Sequence, residues 1–170
     1  MAVPCTEHLF LMGRKGVGKS TLLRAVLEGK RLGGFFTRRI TGIFERPSIH
    51  LLRAAEGQQP SPENLVCLCG ERRTDLFDRL GPAALADAAD CDVIVMDELG
   101  FLESEAQAFR AAVLGVLDGE VPVLAAVKDR MDVPFLHQVC AHPRAEVVPI
   151  DTQNRDALFH RLLPIVKSWK

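Results

Sequence analysis

The chain has 170 residues, with 21 Lys and Arg against 22 Asp and Glu for a formal net charge of −1. That length can bury a core without disulfide or metal support and predicts a single domain over residues 1–170. The near-neutral balance argues against a bulk nucleic-acid binder, which needs a basic field, and no apolar run approaches the ~18 residues of a membrane span. Residues 1–60 carry ten basic and four acidic side chains, whereas residues 61–120 carry four and thirteen. Two solvated faces would account for this; otherwise the first part suits an anionic ligand and the second a metal cation. The five cysteines, Cys5, Cys67, Cys69, Cys91 and Cys140, are odd in number and scattered, as expected of reduced thiols in a cytoplasmic protein. Met1–Thr6 lacks the basic start of a targeting segment.

In chain order, Leu9–Met12 is a short apolar run and a predicted buried strand. Glycine-rich Gly13–Ser20 follows. A helix is predicted over Thr21–Glu28, with Leu22, Leu23, Val26 and Leu27 on one face and Gly29 ending it. Phe35–Thr37, Thr41–Phe44, Ile49–Leu52 and Leu65–Cys69 are short β-prone pieces between turn residues. Leu76–Ala89 is predicted helical, with Gly81-Pro82 near its start, and Val93–Met96 is a second buried strand. Leu102–Leu117 carries apolar residues at helical spacing, and Val121–Val127 is a third strand. Asp132 can cap a short helix with Pro134 in its first turn. Val147–Ile150 is a fourth strand. The last element, Asn154–Trp169, is a helix that Pro164 should kink. Continuous apolar strands alternating with amphipathic helices predict an α/β fold whose mainly parallel sheet is covered on both faces.

The segment Gly13-Arg14-Lys15-Gly16-Val17-Gly18-Lys19-Ser20 matches the phosphate-loop pattern G-x-x-x-x-G-K-[ST]. Glycine takes the backbone angles that turn amide N–H groups inward around a phosphate, and the following helix start adds its positive dipole end. Arg14 and Lys15 are the variable residues of the loop, and a solvated charge pair is the plainer reading of them. Lys19 brings a mobile charge to the β- and γ-phosphates, and the Ser20 hydroxyl is a hard oxygen ligand suited to Mg²⁺. Thr21 completes the segment. Asp97 directly follows the strand Val93–Met96, where a carboxylate points into the crevice at the ends of parallel strands. There it would serve the Mg²⁺ shell through water, opposite Ser20. Glu98 comes next and can orient and deprotonate a water attacking the γ-phosphate.

With these motifs the chain resembles the nucleoside-triphosphatases first described from thermophiles, whose animal members are called cancer-related nucleoside-triphosphatase. The resemblance rests on Gly13–Thr21, Gly34-Phe35-Phe36-Thr37, Asp97-Glu98-Leu99-Gly100 and Thr152-Gln153-Asn154-Arg155-Asp156, with Leu102-Glu103 and Phe109-Arg110 falling where the family has similar residues. It implies a three-layer P-loop NTPase fold of the RecA-like kind. It also implies Mg²⁺-dependent hydrolysis of ATP, GTP and other nucleoside triphosphates to diphosphate and phosphate, with loose base selectivity. Residue by residue, Lys19 and Ser20 take phosphate and metal, Asp97 serves the metal and Glu98 is the catalytic carboxylate. Asn154 and Arg155 fall near the nucleobase; a helix N-cap and a surface charge are the plainer reading of that pair.

The chain departs from the family pattern at Arg38-Arg39, where the family tends toward acidic residues, and matches it poorly over Gly42–Gly70 and Thr74–Ala89. Arg38, Arg39, Arg72 and Arg73 could each supply an arginine finger from within the chain, or be solvated. Cys67-x-Cys69 and His137-x-x-Cys140-x-His142 lack four-ligand zinc spacing and read as buried small side chains and a loop histidine. Two other activities use the same loop. A nucleotide or small-molecule kinase would need an acceptor pocket and lid, which residues 38–73 could form, and a nucleotide-dependent switch module would turn over little.

Overall fold

The computed structural model describes residues 7–71, 75–86, 90–99 and 106–169. Its elements in chain order are β1 (His8–Gly13), α1 (Lys19–Val26), β2 (Leu32–Ile40), β3 (Ser48–Arg53), β4 (Leu65–Leu68) and α2 (Asp75–Ala86). Then come β5 (Val93–Leu99), α3 (Gln107–Leu117), β6 (Val123–Lys128), α4 (Pro134–Cys140), β7 (Ala145–Pro149) and α5 (Arg155–Ser168).

The strands form one seven-stranded sheet in the order β4-β3-β2-β5-β6-β1-β7. From β2 to β7 every pairing is parallel; β3 and β4 are added antiparallel at one edge. The central strands are apolar throughout because both their faces are covered. Phe10, Ile94, Met96 and Ala125 face Phe77 of α2, Phe109 of α3 and Phe135 of α4. Leu9, Leu11, Val95 and Leu124 face Leu23 of α1 and Leu158 and Leu162 of α5. The result is the three-layer α/β architecture expected of a RecA-like domain, with β6 standing between the strand that feeds the phosphate loop and the strand that carries Asp97.

Several local expectations change. Thr41–Phe44 is not a strand; β2 and β3 pair from Ile40 with Ser48 onward, so this β-prone piece becomes the connection of a hairpin. β2 is longer than its apolar part and begins at Leu32, through two glycines. The second, Gly34, has φ 85°, and a Cβ there would run into the carbonyl of Val95 on β5. α5 includes Pro164, which is exposed. α3 is described from Gln107 and has no side-chain cap of its own; Asp78 on α2 accepts the Phe109 N–H at 3.0 Å instead. Cys5, Arg72, Arg73, Gly100, Leu102 and Glu103 lie outside the described residues, as do the ends of the helices expected over 76–89 and 102–117.

Candidate functional site

The parallel strands deliver their C-terminal ends to one edge of the sheet, and the site is assembled there. β1 ends at Gly13 and the chain turns through Gly16 and Gly18 at φ 82° and 100°. Both values are left-handed, a conformation that costs any other L-residue about 1–2 kcal/mol. Gly18 is the N-cap of α1 and has no side chain to satisfy the helix, so the first-turn N–H groups of Lys19, Ser20 and Thr21 have no intrahelical acceptor. That is an anion-binding end. Among the loop residues Lys19 is buried, whereas Arg14, Lys15 and Ser20 are exposed. The Lys19 ammonium donates to the carbonyls of Gly13 at 2.6 Å and Arg14 at 3.0 Å. Its remaining donor is available to a ligand oxygen. Burial lowers the Lys19 pKa, against the opposing pull of Glu98 and Asp97.

Two strands away, Asp97 is 2% exposed. The Ser20 hydroxyl donates to its Oδ1 at 2.9 Å, joining residues 77 positions apart. Burial raises the Asp97 pKa from 3.8 to about 6, and the Ser20 hydrogen bond only partly opposes this. The next residue is the unusual one. Glu98 has φ 78°, the single non-glycine positive φ among the described residues. It sits in a bulge: Asp97 pairs with Ala126 and Leu99 with Val127, leaving Glu98 as the extra residue of β5. Its carboxylate therefore leaves the ladder and lies 3.7 Å from the Lys128 ammonium at the end of β6. Thr37 on β2 closes the arrangement by donating its hydroxyl to the Asp97 carbonyl at 2.7 Å. Lys128 and Thr37 carry no role in the sequence reading. Lys128 has a legible signal, since it is the first charged residue after an apolar run, as Asp97 is.

Lys15, Gly16, Gly18, Lys19, Ser20, Thr21, Asp97, Glu98 and Ala126 line a cleft of about 320 Å³. A second hollow of about 360 Å³ adjoins it at Gly18 and Thr21 and is walled by Leu22, Ala25, Arg155, Asp156 and Phe159. Arg155 thus lies beside the phosphate loop. Asn154 does not point a free amide at this hollow: its Oδ1 accepts from the Asp151 N–H at 2.8 Å and its Nδ2 donates to the Pro149 carbonyl at 3.0 Å. It shapes the turn from β7 into α5 at the N-cap position. A further hollow of about 350 Å³ lies on the edge strands, lined by Leu51, Gln58, Asn64 and Leu80 among others. Two of its polar side chains are engaged internally, Asn64 with His50 and Gln59, and Gln58 with the Arg53 N–H.

The donor set of the first cleft fits Mg²⁺. A hydroxyl and a buried carboxylate are hard oxygen ligands, and Asp97 holds a desolvated charge that a cation would relieve. Among the described residues no three His, Cys, Asp or Glu side chains gather as a metal site. Mg²⁺ does not need such a cage, because it is usually held by one or two carboxylates together with substrate phosphates and water. His137 and His142 do not converge: His137 is exposed on α4, and the His142 ring bonds Asp118 at 2.8 Å.

A family model described as NTPase matches residues 8–163. The nucleoside-triphosphatase THEP1 of Methanosarcina barkeri is 32% identical over 164 residues, covering 89% of this chain and 92% of that protein. The nucleoside-triphosphatase THEP1 of Thermotoga maritima is 26% identical, covering 94% and 95%. The crystal structure of THEP1 from the hyperthermophile Aquifex aeolicus shares the fold, with a TM-score of 0.75 at 23% identity over 94% of this chain and 99% of that one.

Proposed function

The chain belongs to the NTPase family, and from that premise we propose that it is a Mg²⁺-dependent nucleoside-triphosphatase, splitting ATP, GTP and related triphosphates into diphosphate and phosphate. The observation that carries this reading is the 2.9 Å bond between Ser20 and Asp97, which brings the phosphate loop to the strand end bearing Glu98. The backbone N–H groups of the loop and the Lys19 ammonium take the β- and γ-phosphate oxygens. Ser20, and Asp97 through water, would hold Mg²⁺, which would supply charge neutralisation at the phosphates. Glu98 orients a water in line with the γ-phosphorus and accepts its proton. The water oxygen bonds to phosphorus, and the bridging oxygen leaves with the electron pair on the diphosphate. Lys128 holds the Glu98 carboxylate in place. The base occupies the adjoining hollow, against Phe159 and beside Arg155.

One further reading goes with this one. No helix of the described residues is long and apolar enough to cross a membrane. Together with thiols at Cys67, Cys69, Cys91 and Cys140, none bridged to another, this supports a cytoplasmic location.

The test is phosphate release from a panel of nucleoside triphosphates, with and without Mg²⁺ and with no acceptor present. Steady release that requires Mg²⁺ is expected. Turnover only on adding a nucleoside, monophosphate or sugar, with labelled γ-phosphate recovered on that acceptor, would make the protein a kinase.

A further inference from the structure

Of the four arginines that the sequence offers as fingers, the sheet register separates two. Side chains alternate faces along a strand. Phe36 on β2 pairs with Asp97 on β5 and shares its face, the one covered by α1. Arg38 is two residues further on, so it returns to that face just beyond the last paired position. Arg39 is on the other face, where its Nε lies 3.4 Å from the Cys69 sulfur.

Two residues along a strand and one strand across put the Arg38 Cα about 8 Å from that of Asp97, within reach of an extended arginine. Its partner across the hairpin is His50, whose ring nitrogens are taken by Ser48 and Asn64, both at 2.8 Å. The neighbouring cation, Arg24, is engaged over the Phe36 ring at 4.4 Å, level with Asp97. Arg38 is exposed, and among the described residues its side chain has no ion pair or hydrogen bond.

We propose that Arg38 is a catalytic residue of this chain: its guanidinium reaches over the mouth of the cleft and stabilises the charge that develops on the γ-phosphoryl oxygens. The proposal rests on the nucleoside-triphosphatase reading above. A planar, permanently charged donor fork suits the spread of charge over three equatorial oxygens better than a point charge does. Supplying it from within the chain removes the need for a partner protein.

The experiment uses the full chain and four proteins: wild type, Arg38→Ala, Arg38→Lys and Arg39→Ala. Phosphate release gives kcat and KM, a fluorescent diphosphate analogue gives ground-state affinity, and trapping of diphosphate with aluminium fluoride reports transition-state binding. Arg38→Ala should lose about 1,000-fold or more in kcat, in line with an arginine finger. Its diphosphate affinity should stay within about threefold, which also shows that it is folded, and aluminium fluoride trapping should be lost. Arg38→Lys should recover only part of the rate, added guanidinium should partly rescue Arg38→Ala, and Arg39→Ala should match wild type. The proposal is overturned if Arg38→Ala keeps its kcat, if it loses diphosphate affinity in proportion to rate, or if Arg39→Ala falls equally. In each of those cases the hydrolase reading survives, since wild type still turns over. Wild type that releases no phosphate would overturn both.

Discussion

Asp97 holds a buried charge that the empty fold does not need, so removing the charge should stabilise the protein while disabling it. Burial lifts its pKa from 3.8 to about 6. The folded state therefore holds the proton more tightly than the unfolded chain does. Stability from this group is fully present below about pH 4 and is lost as pH rises through about 6. A shift of roughly two pH units corresponds to about 3 kcal/mol at neutral pH. Asp97→Asn keeps the shape and an oxygen that can still accept from Ser20. Its new amide N–H needs a partner, which takes back about 1 kcal/mol. The variant should thus be about 2 kcal/mol more stable than wild type at pH 8 with chelator present, and the advantage should disappear by pH 4. Urea unfolding at a series of pH values measures this directly. Adding Mg²⁺ and a nucleoside diphosphate should reverse the order, because ligand binding stabilises only the protein that binds. A variant less stable than wild type at pH 8, or a difference that does not change with pH, would refute the argument.

Two further substitutions examine the bulge. Glu98→Gly should be about 1 kcal/mol more stable than Glu98→Ala, because φ 78° is left-handed and penalises a Cβ; both should bind diphosphate and neither should hydrolyse triphosphate, and equal stabilities by urea titration would remove the strain from the account. Thr37→Val deletes the donor to the Asp97 carbonyl while keeping the shape. It should cost about 1 kcal/mol and lower kcat more than it raises KM, as steady-state phosphate release would show, since the hydroxyl positions the strand end that carries Glu98.

What the sequence shows and what it hides divide along a physical line. Apolar runs at 9–12, 93–96 and 121–127 are legible as central strands because burial on both faces demands unbroken hydrophobicity. The phosphate loop is legible because its glycines answer to backbone angles that only they take easily, and Asp97 because it follows an apolar run directly. Gly34 hides the start of β2: glycine is a poor strand former, and its reason for being there, the carbonyl of Val95, belongs to another strand. Thr41–Phe44 misleads in the opposite sense, since its β-prone side chains are overruled by the register of the hairpin that it closes. The bulge at Glu98 has no local signature at all. A glutamate beside an aspartate can as well cap a helix, and only the pairing of Asp97 and Leu99 with consecutive residues of β6 turns it out of the ladder. The same reasoning applies to Arg38 and Arg39. As adjacent arginines they are interchangeable on paper, and a period of two residues on a strand whose register is known puts Arg38 on the sheet face of Asp97 and Arg39 on the face where it meets Cys69. In this fold the residue types needed for phosphate chemistry are readable from the chain, whereas the direction each side chain takes is a property of pairings between strands far apart in sequence.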